Sequence, residues 1–234
     1  MSAFLARIIG YLMKFIYDLI NNYGISIILL TLLVRLCLLP LYNRQNKYTA
    51  AMADLQPKIK DIQTKYAADR NTMNEKLNEV YQDAGVNPLS GCLPMVIQLP
   101  IILGLFALLR NPLTYMQGSE MVAAVHESFL WVSDLSQPDN WILPLLAGIT
   151  TYFSSAQTSA ADTTGAMAGM KYFFPIMIFL LGRTFPSGLA LYWAVGNVFT
   201  MLQTYYFMAR KKKKDKEREI EEEVNKRLNR KRQA

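Results

Sequence analysis

The 234-residue sequence has few of the residues on which enzymes and metalloproteins rely, with one histidine and two cysteines in the whole chain. His126 lies between the second and third apolar runs and is interpreted as an exposed loop residue. Cys37 and Cys92 have no spacing typical of metal ligands, so these two cysteines are interpreted as small packing residues. No phosphate-binding loop, HExxH motif or GxSxG nucleophile elbow occurs. These absences favour a protein that is not an enzyme and that uses no cofactor and no metal.

Carboxylates are missing from the apolar parts of the chain. Proton and ion carriers usually place aspartate or glutamate inside their membrane spans, and none lies within the five long apolar runs of this sequence. The same absence, together with the lack of a histidine there, makes intramembrane proteolysis difficult to arrange. A carrier of that kind is therefore disfavoured, although a channel or transporter with a polar intramembrane cavity stays open as the alternative function.

Apolar residues, in contrast, are abundant, at 52% of the chain. They are concentrated in runs at 23–42, 92–109, 140–153, 172–185 and 188–208. Since about 20 apolar residues cross a bilayer core as a helix, the runs predict an all-α polytopic membrane protein with five transmembrane helices. The third and fourth runs are short for this purpose, which favours a locally thin bilayer.

The distribution of lysine and arginine predicts the topology. Seven lie between residues 43 and 90 and twelve from Arg210 onward, whereas residues 111–140 hold none. The positive-inside rule then places a helical hairpin (43–88), a loop (154–170) and a basic tail (209–234) in the cytoplasm. It places a segment at 110–140 outside, and the N-terminus outside a bacterial plasma membrane. The loop at 154–170 is the weak point, because it carries no lysine or arginine.

The first 22 residues are predicted to form an interfacial amphipathic helix ahead of the core at 23–208. One helical face would carry Arg7, Tyr11, Lys14 and Asp18, and another would carry Leu5, Ile8, Leu12, Phe15 and Leu19. The alternative is that this segment extends the first span. For the tail, the alternatives are an anchor on anionic lipid and a docking site for a polyanion such as ribosomal RNA.

Arg35 is the most informative residue, because it lies inside the first apolar run. An arginine keeps its charge at physiological pH, and at the centre of a spanning helix it costs at least ~2.5 kcal/mol. Thr31 precedes it by one turn, Gln98 lies in the second run, and the fifth run carries a polar stripe. That stripe consists of Trp193, Asn197, Thr200 and Thr204.

If these faces pack inward, they enclose a watered, positively charged concavity, which would be either a pore or a groove open to cytoplasm and lipid. The alternative is a structural arginine that binds backbone carbonyls or reaches the lipid headgroups. A groove would let an acidic segment of a polypeptide pair with Arg35 and then leave sideways into lipid.

Several strings of the sequence resemble the YidC/Oxa/Alb family of membrane protein insertases, over about residues 20–208 and in the family's order. The strings are LLVRLCLLPL (32–41), LQPKIKDIQTKY (55–66), GVNPLSGCLPMVIQLPI (85–101), FLWVSDLSQPD (129–139), ILPLLAGIT (142–150) and FPSGLALYW (185–193). The chain lacks the large periplasmic domain of Gram-negative members and so resembles the short Gram-positive form. Those members often begin as lipoproteins, whereas this sequence begins with a plain amphipathic helix.

The resemblance implies a five-helix core with a cytoplasmic hairpin and a lipid-facing hydrophilic groove. The family's groove arginine falls on Arg35, its polar neighbour on Thr31 and its groove ring on Trp193, while Gln98 matches a family glutamine without an assigned role. Ser154 and Ser155 stand where relatives often have glutamine, so the lining there differs.

The implied function is that of a membrane protein insertase and chaperone, acting alone or with the Sec translocon. Its partners would be nascent membrane proteins with acidic N-terminal regions, membrane lipids, and the ribosome through the basic tail. A passive assembly scaffold is a further alternative, and it predicts that the Arg35 side chain is dispensable.

Overall fold

The computed structural model describes residues 2–87, 93–115, 119–158 and 166–233. Within these residues the chain is helical and has no strand, apart from an isolated bridge between Phe129 and Val132. The all-α prediction is therefore confirmed, while the number of membrane spans stays a prediction. The helices are α1 (Ser2–Ile20), α2 (Tyr23–Cys37), α3 (Leu39–Lys65), α4 (Arg70–Asp83), α5 (Leu93–Arg110), α6 (Pro112–Tyr115), α7 (Ser119–Ala124), α8 (Ile142–Thr158), α9 (Ala166–Gly182) and α10 (Ser187–Gln233).

The first apolar run is divided between two helices instead of forming one straight span. α2 ends at Cys37, α3 begins at Leu39, and the two axes differ by 65°. Pro40 lies in the first turn of α3, where its missing N–H leaves no hydrogen bond unmade. Among the described residues no single helix has both the length and the apolarity of a membrane span, whereas α2 and α3 taken together do.

α3 and α4 occupy the range predicted to be a hairpin. α3 passes through Pro57 without a break, and Asp69 caps α4 by accepting hydrogen bonds from the backbone N–H groups of Asn71 and Thr72, each at 3.1 Å. The side-chain and backbone hydrogen bonds from Thr72 hold the pKa of Asp69 below its ordinary value. The pair has a small apolar core of its own, formed around Met52, Ile59 and Val86.

α1 packs against α5 and α2 through a face that neither of the two predicted faces contains. The buried residues are Ala6, Ile9, Met13 and Ile16, whereas Ile8, Phe15 and Leu19 of the predicted apolar face are exposed. A helix with apolar residues around most of its circumference can present one face to protein and another to lipid. The sequence pattern does not distinguish these two faces.

The main core joins α1, α2, α5 and α10 with the segment that follows α7. Its largest fully buried side chains include Met13, Tyr23, Leu30, Leu108 and Tyr192. α8 packs between α9 and α10, and close approach to α9 depends on small residues. A Cβ on Gly148 would lie 3.2 Å from the Pro175 carbonyl oxygen.

The last apolar run and the charged tail form one helix. α10 continues from Ser187 to Gln233, and Lys211 Nζ donates to Asp54 Oδ2 of α3 at 2.7 Å. At the predicted loop 154–170, α8 extends to Thr158 and α9 starts at Ala166, so only 159–165 is left between them, outside the described residues. Cys37 is exposed, which corrects its interpretation as a packing residue, and Cys92 lies outside the described residues.

Candidate functional site

Arg35 lies buried between α2, α3 and α10, with 7% of its surface exposed. Its Nη1 donates to the hydroxyl of Tyr42 at 2.8 Å and to Thr200 Oγ1 at 3.1 Å. The guanidinium carbon lies 5.3 Å from the centre of the Tyr42 ring, within the range of a cation–π contact. Three helices therefore hold one positive charge inside the protein.

The bend between α2 and α3 creates this arrangement. Arg35 is in the last turn of α2, where the unsatisfied carbonyl groups of a helix favour a positive charge. In a straight helix Tyr42 would lie two turns further on, about 10 Å along the axis. The bend at Leu38 changes the direction of the chain and leaves the Tyr42 hydroxyl within hydrogen-bond distance of Arg35.

Gly196 gives the guanidinium its space on the α10 side. A Cβ at this position would lie 2.7 Å from Arg35 Nη2, which is too close for two atoms that are not bonded. One turn later Thr200 donates from Oγ1 to the Gly196 carbonyl oxygen at 2.9 Å, so it can still accept from Arg35. The glycine and the threonine together form the α10 wall of the site.

Replacing Gly196 with alanine is expected to displace the Arg35 guanidinium without removing its charge. Because the colliding atoms are at the end of a flexible side chain, the protein should fold with nearly the same thermal unfolding temperature. Side-chain NMR of protein labelled with 15N-arginine should report a changed environment of the Arg35 guanidinium. Gly169→Ala is the matched control, since a Cβ there meets nothing within 4 Å. An unchanged Arg35 signal in Gly196→Ala would contradict the packing described here.

The charge of Arg35 has no acidic partner in the described part of the chain. Its hydrogen-bond acceptors are two hydroxyl groups, and no ion pair joins it to a carboxylate among those residues. Nε and Nη2 have no protein acceptor there. A buried arginine with neutral neighbours keeps much of its capacity to attract an anion. The sequence shows no carboxylate in the apolar runs, and among the described residues the structure likewise shows none paired with Arg35.

The other predicted groove residues form separate contacts. Thr31 is fully buried, and its hydroxyl donates to the Ile27 carbonyl oxygen at 2.6 Å instead of reaching Arg35. Gln98 Nε2 of α5 donates to the Tyr192 hydroxyl of α10 at 2.8 Å. Of the predicted groove residues, Thr200 is the one that accepts a hydrogen bond from Arg35.

The polar stripe of α10 lies over the seam between α2 and α8. Thr200 contacts Arg35 on one side, whereas Trp193 Nε1 donates to Thr151 Oγ1 of α8 at 3.0 Å on the other. The Asn197 amide lies 2.8 Å from Thr151 Oγ1 and 3.3 Å from Thr150 Oγ1. Thr204 is buried one turn beyond Thr200.

Sequence reasoning missed Tyr42, Thr150, Thr151, Tyr192 and Gly196. The two threonines stand as a polar pair in an otherwise apolar run, which is a signal that could have been used. Tyr42 lies seven residues after Arg35, across the bend between α2 and α3, and its contact with Arg35 was not predicted. No pattern in the sequence indicates that Gly196 faces Arg35.

His126, Asp134 and Ser136 meet beside a cavity at the other end of the molecule, without the arrangement of a catalytic triad. Asp134 Oδ2 and Ser136 Oγ both lie near Nδ1 of the histidine, at 3.0 and 2.9 Å, whereas a triad needs them on opposite ring nitrogens. Burial raises the pKa of Asp134, but hydrogen bonds from Ser136 and His126 outweigh it and leave that pKa below its ordinary value. The cluster fits a role in ordering the segment.

Comparison with known proteins identifies relatives over most of the chain. A family model described as "60Kd inner membrane protein" matches residues 15–216. The membrane protein insertase YidC 2 of Listeria innocua is 41% identical over 79% of the chain and 63% of its own length. The insertase YidC of Alkalihalophilus pseudofirmus is 42% identical over 82% of the chain and 76% of its own length. For Fusobacterium nucleatum YidC the identity is 36%, with 87% of the chain and 95% of the relative covered.

A solved structure agrees with these relatives. The chain matches a crystal structure of an active YidC insertase, with its first transmembrane domain resolved, at a TM-score of 0.69 and 33% identity. The match covers 88% of this chain and 46% of the crystallised one. The chain thus spans about half the length of that protein and under two thirds of the Listeria relative.

Proposed function

Because this chain belongs to the 60Kd inner membrane protein family of YidC membrane protein insertases, we propose that it inserts newly made proteins into the bacterial plasma membrane and helps them fold. The observation that carries this proposal is Arg35, a buried positive charge whose protein neighbours are all neutral among the described residues. It acts as a binding partner for substrates and performs no chemical reaction.

The substrate segment carries an acidic side chain into a groove whose floor is Arg35. Two unit charges 4 Å apart attract by about 4 kcal/mol at an effective dielectric constant near 20, which helps to offset the cost of bringing a carboxylate out of water. Thr200 and Tyr42 hold the guanidinium, while Gln98, Trp193 and Asn197 line the walls and Thr31 lies buried one turn above. The segment then leaves sideways, because its apolar residues prefer lipid.

The proposed membrane arrangement has five spans, with the N-terminus outside and the C-terminus in the cytoplasm. The α3–α4 hairpin and the tail lie on the cytoplasmic side, and residues 110–140 lie outside. The distribution of basic residues supports this orientation. Small substrates need this protein alone, and larger ones pass from the Sec translocon.

Reconstitution tests insertion against the channel or transporter alternative. The purified chain in liposomes should protect the span of a small single-span substrate from added protease, and empty liposomes should not. Liposomes without substrate should show no selective ion conductance. Conductance in the absence of any substrate protein, with no protection of the span, would support the channel instead.

The basic end of α10 is proposed to bind ribosomes. Removal of residues 210–234 deletes twelve of the 25 lysine and arginine residues, so co-sedimentation with ribosomes should decrease severalfold, and more so at low salt, where the electrostatic contribution is largest. Post-translational insertion, which needs no ribosome, should be spared. Co-sedimentation that persists after the deletion would leave the tail as an anchor on anionic lipid.

A further inference from the structure

Gln45 is a buried polar residue of α3. It is on α3, three residues after Tyr42, and residues three apart share a helix face. Tyr42 and Gln45 are both buried, with 5% and 7% of their surfaces exposed. The Tyr42 hydroxyl accepts from Arg35 at 2.8 Å, so Gln45 lies about one turn further along the α3 face that carries this partner of Arg35.

The side-chain oxygen of Gln45 is a buried acceptor without a protein donor. Oε1 is buried and receives no hydrogen bond from the residues that the structure describes. The neighbouring amides differ, because Gln98 donates to Tyr192 and Asn197 contacts the threonines of α8. A buried polar atom without a partner costs about 1–3 kcal/mol, and such exceptions in folded proteins require an explanation.

We propose that Gln45 Oε1, which is covered when no substrate is bound, accepts a backbone N–H of the substrate segment whose acidic side chain pairs with Arg35, once that segment displaces the side chains that cover the amide. This inference rests on the proposed insertase function and identifies a second contact in the same site. A polypeptide that leaves water before it becomes helical carries unpaired N–H groups, each of which is costly in a low-dielectric environment. An amide oxygen binds any such group regardless of the side chain, so Arg35 recognises charge and Gln45 recognises backbone.

The replacement Gln45→Met tests this inference, because methionine has a similar size and no strong acceptor. A lost hydrogen bond should lower the insertion rate roughly two- to tenfold. The thermal unfolding temperature should stay the same or rise, because an unpartnered buried polar atom is removed. The loss of insertion should be equal for a substrate with acidic residues and for a variant of that substrate in which aspartate and glutamate are replaced by asparagine and glutamine, since both substrates offer the same backbone N–H groups.

Gln203→Met is the matched control. Gln203 is on α10, and its Nε2 lies 3.5 Å from Oδ1 of Asn43 in an exposed contact. Its replacement should leave insertion unchanged. If Gln45→Met and the wild-type protein inserted the substrate equally well, the inference would be overturned. A variant with both lower insertion and a lower unfolding temperature would also overturn it, because those two results together indicate a structural role for Gln45. If the wild-type protein inserted nothing, the proposed function itself would fail, which the wild-type arm shows separately.

Discussion

Insertion of a single-span substrate with an acidic N-terminal segment should decrease at least about tenfold when Arg35 is replaced by alanine, equivalent to about 1.4 kcal/mol. The variant loses the buried positive charge on which the proposed function depends. Arg35→Lys keeps the charge but lacks the planar guanidinium that lies 5.3 Å from the centre of the Tyr42 ring, and it lacks the Nε and Nη2 donors. Its rate should therefore lie between those of wild type and the alanine variant, as measured by protease protection in liposomes.

A substrate without acidic residues is the control for charge recognition. Its insertion should depend little on Arg35, because it offers no carboxylate to pair with the guanidinium. The alanine variant should also remain folded, since Arg35 makes no ion pair within the described residues whose loss would strand a buried carboxylate. Undiminished insertion of several acidic substrates by Arg35→Ala would remove the charge from the mechanism and favour the passive scaffold.

Gly24→Ala should destabilise the protein although it adds only one methyl group. An added Cβ would lie 2.2 Å from two ring carbons of Phe129. The ring cannot move aside easily, because Phe129 exchanges two backbone hydrogen bonds with Val132, at 2.8 and 2.9 Å, around a tight turn. Overpacking of this kind costs about 1–3 kcal/mol, so the thermal unfolding temperature should fall by several degrees.

Gly169→Ala provides the comparison for Gly24→Ala. It places the same methyl group on an exposed helical position of α9 where nothing lies within 4 Å. Alanine is the better helix former by up to about 1 kcal/mol, so this variant should be as stable as wild type or slightly more stable. Equal unfolding temperatures for the two variants would show that the Phe129 ring yields.

The helices of this protein are largely predictable because long apolar runs have few alternatives in a membrane. Arg35 is also identifiable from sequence, since a permanent charge inside such a run is costly wherever the run packs. The resemblance to the insertase family follows from short strings and is confirmed by the relatives. These predictions depend on local composition, which the printed sequence contains in full.

The partners of Arg35 depend on geometry that local composition does not encode. Tyr42 lies beyond the bend at Leu38, in a different helix from Arg35, so its contact with Arg35 depends on the direction in which α3 leaves α2. Thr31 is in the expected register, yet its hydroxyl bonds to its own helix, a choice open to any buried threonine. The sequence predicts the polar stripe of α10 as one surface. In the structure the stripe contacts both α2 and α8, because it lies where these two helices meet α10.

The continuity of α10 has a structural consequence. A helix of 47 residues is about 70 Å long. The same helix therefore carries both Gly196, which lies against Arg35, and the lysine cluster that begins at Lys211. The ion pair between Lys211 and Asp54 joins α10 to α3, about 22 Å from Gly196 along the helix axis. The wall of the Arg35 site and the charged end of the chain therefore belong to one continuous helix, which an ion pair with a largely exposed Asp54 carboxylate joins to α3.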